Sequence, residues 1–224
     1  MRNIEIIGTS HIAKESVSET KEKILKEKPD IVCIELDKSR FISLFQKNQR
    51  KLGIKDLRVG GFGVIFLLVG RWLQKKLGDQ VGIIPGADMK SAILAARKVK
   101  AKIYLIDIPI QKTLSKLSTD VSGWEKVKLI LHLIFSPLSV KSRKFAKQID
   151  LTKVPSDKII YQAISEMRKT FPQLFKVLLD DRNAHMIKQL KSISKKYPES
   201  KIIAVIGAGH EKDIKKSLKN YISK

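Results

Sequence analysis

The chain has 224 residues, long enough for one domain with a substantial core, and its 43% apolar and 30% charged residues exclude a disordered or fibrous chain. A lone cysteine, Cys33, excludes an internal disulfide and suits a reducing setting, and the run from Met1-Arg2-Asn3 straight into strand-like residues is not a secretory leader, so a cytoplasmic location is expected. The formal charge of +23, from 45 Lys plus Arg against 22 Asp plus Glu, favours polyanions; with no aromatic platform or zinc-finger spacing beside the lysines, an anionic membrane surface is the better partner and nucleic acid a poor one.

Ile4, Ile6 and Ile7 predict a first buried strand, ending in Gly8-Thr9-Ser10-His11. Ala13 to Lys28 alternates apolar or small residues with charges at helical spacing, and Pro29 ends it. Asp30 to Leu36 is a second strand with Glu35 at its far end, so the unit is expected to be a βαβ crossover that brings Glu35 to the rim where His11 emerges. Arg40 falls in the first turn of the next helix. Residues 41–80 interrupt the alternation. Phe62 to Val69 is strongly apolar, but the uncharged stretch between Arg58 and Arg71 is only twelve residues, too short to cross ~30 Å of hydrocarbon as a helix. It is expected as a buried helix or a homodimer contact, with shallow membrane association as the alternative.

Gly82 to Gly86 reads as a turn into a helix over Ala87 to Lys98, and Lys102 to Asp107 as a third strand with a carboxylate at its C-terminal end. Residues 111–180 are helical and basic in character. Within them Trp124 to Phe135 is expected as a largely buried helix stopped by Ser136-Pro137, with His132 as a satisfied core residue. A helix after Pro172 runs to about Lys196, broken by Tyr197-Pro198. The last strand, Ile202 to Ile206, leads into Gly207-Ala208-Gly209-His210, a second strand–Gly-x-x-His–helix element, and a terminal helix. The expected fold is one α/β domain over 1–224: a mainly parallel central sheet flanked by helices, with helical insertions at approximately 41–80 and 111–180.

In an open parallel sheet, ligands bind outside the carboxyl ends of the strands. His11, His210, Glu35 and Asp107 are all expected there, and two imidazoles with carboxylates suit a divalent ion of the Mn, Co, Zn, Fe or Ni type. Glu35 is a ligand candidate or a general base, and Arg182, with Arg40 second, an anchor for a developing oxyanion. The bland readings are that Glu35 pairs with Arg40, that Asp107 caps a helix, and that Asp181 and His185 form a structural i,i+4 pair. No P-loop, G-x-G-x-x-G or G-x-S-x-G pattern is present.

These residues resemble the TraB/PrgY family, within the wider Tiki/EreA/ChaN-like superfamily. Gly8-Thr9-Ser10-His11 with Ser16 is similar to its G-T-x-H…S, Glu35-Leu36 with Arg40 to its E-L…R, and Leu77-Gly78-Asp79 through Pro85-Gly86-Ala87-Asp88-Met89 to its L-G-[ED]…P-G-A-E-[MF]. Asp107…Pro109…Thr113-Leu114 resembles D-R-P…T-L, Asp180 to Asn183 with Met186 resembles D-E-R-D…M, and Val205 to His210 resembles V-V-G-A-G-H. The resemblance implies paired Gly-x-x-His elements whose histidines work with a Glu and an Arg. It also implies metal-dependent hydrolysis of a peptide, as in Tiki relatives, or of an ester, as in EreA-like ones; pheromone shutdown, as in PrgY, would instead be met by a non-catalytic module that sequesters a peptide. Three departures stand out: Ile108 replaces the Arg of D-R-P, Asp181 and Asn183 shorten or neutralise acidic positions, and the C-terminal membrane helices of many members are not expected among residues 1–224.

Overall fold

Four short apolar runs form one parallel sheet in the computed structural model, which describes residues 3–9, 14–46, 61–66, 68, 86–135 and 157–222. The strands are β1 (Ile4–Thr9), β2 (Ile31–Ile34), β3 (Lys102–Leu105) and β4 (Ile202–Gly207), in the spatial order β1-β4-β2-β3. The expected α/β fold with a parallel sheet flanked by helices is therefore observed. The last strand lies between the first two. β1 and β2 are parallel but not neighbours, and β4 pairs with both, Ile4 opposite Ile202 on one side and Ile31 opposite Ile202 on the other.

Burial reflects this order. β4 is covered on both faces and both edges, which is why all six of its residues are buried and why it reads as a continuous apolar run. Successive side chains go to opposite faces. Ile203 and Val205, with Val32 and Ile34 of β2, meet α1 (Lys14–Glu27) and α3 (Ala87–Lys98) through Ile24, Met89, Ala92 and Ile93. Ile202, Ala204 and Ile206, with Ile31 and Cys33, meet α8 (Asp181–Lys196) and α9 (Ala208–Ile222) through Met186, Leu190, Ile214 and Leu218. Helix α1 stops at Glu27 and Lys28 turns left-handed (φ 42°) ahead of Pro29. At the start of α3, Gly86 takes φ 83°, where a side chain would be strained and its Cβ would lie 2.8 Å from Leu44.

The helices between β3 and β4, with a helical stretch from between β2 and β3, build a third cluster. Helix α2 (Lys38–Phe45) precedes α3; α4 (Ile110–Thr119), α5 (Gly123–Phe135), α6 (Asp157–Thr170) and α7 (Pro172–Phe175) come after β3. Leu114, Leu117, Val121, Phe171, Leu174 and Val177 form the cluster, joined by Phe62, Val64 and Phe66 from a helical stretch at 61–66. Two expectations are corrected here. The Trp124–Phe135 stretch is helical but not largely buried: Trp124, Val127, Ile130 and Leu131 face outwards. His132 is exposed, with its ring centroid 5.6 Å from that of Phe171 in an edge-on contact, and is not a core residue. Among the described residues no helix is long and apolar enough to cross a membrane.

Candidate functional site

Backbone hydrogen bonds carry the strands a few residues past their ends and aim two carboxylates at one point. Glu35 N–H donates to the Val205 carbonyl at 3.0 Å, so β2 stays beside β4 for one residue more. On the other side, Ile106 N–H donates to the Ile34 carbonyl at 3.1 Å, within the usual ladder range, and Asp107 N–H to that of Leu36 at 3.4 Å. Glu35 and Asp107 thus emerge from adjacent strands at the carboxyl rim, and both are buried. Gly207, ending β4, donates its N–H to Glu35 Oε2 at 2.6 Å, and the chain then enters α9, whose first turn carries His210.

The cation between the carboxylates is Arg182. Its Nε and Nη2 donate to Asp107 Oδ1 at 3.1 Å and Oδ2 at 2.7 Å, a bidentate pairing, while Nη2 also reaches Glu35 Oε1 and Nη1 donates to the Leu178 carbonyl at 3.2 Å. Arg182 is delivered by a π-helical turn, Lys176–Asp180, between α7 and α8; such a turn adds a residue to the helical repeat and rotates the residues beyond it. Arg40 joins from the other side. Its Nη2 contacts Asp107 Oδ2 and its Nε donates to Asp37 Oδ2 at 2.7 Å. Asp37 is the N-cap of α2, accepting from Ser39 N–H at 2.7 Å and Arg40 N–H at 3.2 Å.

Charge balance explains why burial of these groups is tolerated. Burial alone would raise the Asp107 acid, but hydrogen bonds and charge from Arg182, with Arg40 behind them, outweigh it and hold the group at about 2. For Arg182 burial pulls downwards, and Glu35 and Asp107 more than reverse it. Arg182 is therefore a permanent cation in a mostly buried position, whereas the Arg40 side chain is one-third exposed (33%) and faces the rim.

His210 is buried beside this network. Its Nδ1 lies 2.6 Å from Asn183 Oδ1, and its Nε2 lies 3.4 Å from Glu35 Oε1. An Nδ1–H donated to the Asn183 oxygen leaves Nε2 facing the Glu35 carboxylate, where a proton or a cation can lie between them. At the other side of β4, Thr9 Oγ1 donates to Asp88 Oδ2 at 2.7 Å, and Asp88, in the first turn of α3, is fully buried.

Of the residues expected at one rim, Glu35, Asp107, Arg182, Arg40 and His210 are brought together. His11 lies outside the described residues, as do Ser10, Leu77 to Asp79 and Pro85; β1 ends at Thr9 opposite Gly207, next to the segment that leads to His210. Glu35 pairs with Arg182 rather than Arg40, Asp107 sits before the Pro109 N-cap of α4 instead of capping it, and Asp181 pairs with Lys116 and Lys176. Asp37, Asp88 and Asn183 are site residues that sequence reasoning passed over. Asp88 and Asn183 stood inside family-like stretches, which was the available signal; Asp37 stood one residue before a helix start, the usual place of a cap. Among the described residues no three His, Cys, Asp or Glu side chains gather as a ready-made metal cage.

Comparison with known proteins gives the same assignment along nearly the whole chain. The TraB/PrgY/gumN family model matches residues 2–220. An uncharacterised protein of Methanocaldococcus jannaschii is 35% identical over 219 residues, covering 97% of this chain and 53% of that protein. TraB domain-containing proteins of Mus musculus and Homo sapiens are each 26% identical over 242 residues, covering 96% of this chain and 62% of theirs. The chain thus spans between about half and three-fifths of the length of these relatives. It belongs to the TraB/PrgY/gumN family.

Proposed function

We propose that the rim of the sheet is a hydrolytic site for a peptide or small ester, with His210 and Glu35 as its chemical centre and a divalent metal as its cofactor. The observation that carries this reading is the facing pair, His210 Nε2 and Glu35 Oε1, 3.4 Å apart. Two ligands of a tetrahedral ion with bonds of ~2.1 Å lie about 3.4 Å apart, so this pair fits two corners of such a site. The Asn183 contact at His210 Nδ1 is the outer-sphere bond that a ligating imidazole needs to present Nε2. His11 is the proposed third ligand. Asp107 is tied more heavily than Glu35: its oxygens meet Arg182, Arg40 and the Ile108 N–H, whereas those of Glu35 meet Arg182 and the Gly207 N–H, so Asp107 is better placed to hold the two guanidiniums.

Held by His210, Glu35 and His11, a divalent ion would supply Lewis-acid chemistry at this rim. The chain's own residues supply the rest. Where it does not itself ligate the ion, Glu35 would take a proton, oriented by the Gly207 N–H on Oε2 and by Arg182 on Oε1. Arg182 is engaged by two carboxylates and a carbonyl, so it fixes their geometry, and the more accessible Arg40 is the guanidinium that meets the substrate's carbonyl or carboxylate. A cleft of about 590 Å³ beside Arg40 is lined by Asp37, Lys38, Ser39, Ser43, Gln46 and Gln111 with Ile42 and Pro109, and its largely polar wall offers donors and acceptors to a peptide backbone.

The rival reading is sequestration of a peptide without turnover, which the neutral Asn183 at His210 favours over an acid that would raise imidazole basicity. Incubating the metal-reloaded protein with a mixed peptide library and reading products by mass spectrometry separates the two. Hydrolysis predicts fragments that disappear with Glu35→Gln and with chelator. Stoichiometric, chelator-resistant capture of intact peptide would replace the hydrolase reading with the sequestering one.

A further inference from the structure

The hydrogen-bonding capacity of the carboxyl rim is spent unevenly. Arg182 commits Nε, Nη1 and Nη2 to Asp107, Glu35 and the Leu178 carbonyl. Asp107 receives Arg182 and the Ile108 N–H on Oδ1, and both guanidiniums on Oδ2. Asp37 is engaged on both oxygens too, by the Ser39 and Arg40 N–H groups on Oδ1 and by Arg40 Nε on Oδ2. Arg40 is therefore held along one side, through Nε and Nη2, while the N–H groups of Nη1 meet no acceptor among the described residues. Lys38, two residues before it at the start of α2, is exposed, and its ammonium meets no carboxylate among the described residues.

These two cations border the cleft between α2 and α4. Of its lining residues, Ser39, Gln46 and Gln111 are neutral and Asp37 is already engaged, so the charge left unmet there is positive. The contacts themselves bound the distance to the reacting centre. Glu35 Oε1, Arg182 Nη2, Asp107 Oδ2 and Arg40 Nη2 follow one another through three hydrogen bonds. At about 3 Å or less for each bond, Arg40 lies no more than roughly 9 Å from Glu35. Extended peptide advances about 3.3–3.6 Å per residue, so that reach is under about three residues.

We infer that the substrate of this site is a peptide that carries a carboxylate within about three residues of the bond to be cut, received by Arg40 Nη1 with Lys38 beside it. This rests on the hydrolytic reading of the rim and narrows its substrate class. A guanidinium bonds an ionised oxygen more strongly than a neutral carbonyl, and one already fixed by two carboxylates loses little freedom when it binds a third. An uncharged ester leaves both cations unmet. The carboxylate is that of the peptide's C-terminus or of an Asp or Glu side chain, since either offers the same two oxygens.

The test uses pools of random hexapeptides that end in a free carboxylate or an amide and that either contain or lack Asp and Glu. Capture by the full chain and cleavage are read separately by mass spectrometry. The amidated pool without Asp and Glu is expected to be captured at least about tenfold more weakly than pools that hold a carboxylate. Capture of the free-acid pool without Asp and Glu places the carboxylate at the chain end; capture confined to the pools with Asp and Glu places it on a side chain. Arg40→Lys keeps a charge beside Asp107 but loses the fixed fork, and is expected to erase most of the preference. Lys38→Gln, at an exposed position that leaves thermal unfolding unchanged, is expected to weaken the preference and carries the test if Arg40→Lys does not fold. Absence of any preference among the pools, in capture and in cleavage, overturns the inference. So does a preference that Lys38→Gln and folded Arg40→Lys both retain. Preferential capture without cleavage supports the carboxylate site and removes the hydrolytic reading, so the two can fail separately.

Discussion

Arg182→Met removes the guanidinium that holds the carboxyl rim together while keeping a side chain of similar reach. In the native chain Arg182 bridges Asp107 and Glu35 and bonds the Leu178 carbonyl, with its own side chain only 16% exposed. Taking one partner from such a buried network leaves uncompensated carboxylates and costs about 3–5 kcal/mol, a large share of the ~5–15 kcal/mol by which domains are stable. A drop of that size corresponds to a fall in Tm of roughly 6–20 °C in a domain of this length. The pH dependence gives a second reading. Asp107 is depressed from its ordinary 3.8 to about 2 in the folded chain. A depressed acid contributes stability above its unfolded value and loses it as pH falls through the folded one, here roughly 2–3 kcal/mol lost between about pH 4 and pH 2. Urea unfolding of wild type and variant from pH 7 down to 2 measures both. The variant is expected to be destabilised at pH 7 and to have a flattened acid limb, because Arg40 alone then faces Asp107. Arg182→Met combined with Asp107→Asn is expected to cost less than the sum of the two, since both changes break one contact. A variant within ~0.5 kcal/mol of wild type at pH 7, or an unchanged acid limb, would refute the reasoning.

Other substitutions test single contacts. Asp37→Ala removes the α2 cap and the Arg40 Nε partner, with an expected loss of about 1–2 kcal/mol in chemical unfolding. Glu125→Ala strips the start of α7 of the carboxylate that receives Gln173 and Leu174 N–H, and about 1–3 kcal/mol should go with it, read as a lower Tm. Cys33 is fully buried and its thiol is pushed up to about 12 by burial, so a thiol reagent should label it only at the rate of unfolding; rapid labelling of native protein would contradict its place in the sheet.

Much of the architecture could be read from the residues because parallel strands buried on both faces declare themselves as apolar runs, with Pro29 after α1, Gly86 before α3 and Gly207 at the end of β4 as punctuation. The rule that parallel strands point their carboxyl ends to one rim was enough to gather Glu35, Asp107 and His210. It could not show that β4 inserts between β1 and β2, because strand order depends on which helices compete for each face. Nor could it pair the charges. Arg182 wins Glu35 from Arg40 because a π turn, invisible in the composition of Lys176–Asp180, swings it across the rim. The apolar run at Trp124–Phe135 marked a helix without saying how much of it would find a partner: Leu129 packs inwards and Trp124, Val127, Ile130 and Leu131 do not. Glu125 and Asp37, two caps that fix helix starts, looked like ordinary surface acids until their N–H partners were in view.

The proposed divalent ion, held by His210, Glu35 and His11, is the feature on which the hydrolytic reading stands. Elemental analysis of untagged protein purified without chelator, compared with His210→Ala and His11→Ala/His210→Ala, tests it most directly. Near-stoichiometric Mn, Fe, Co, Ni or Zn in the wild type, lost from both variants while they remain folded, is the expected result. Wild-type protein that takes up none of these ions after reloading, or variants that keep the ion, would contradict it.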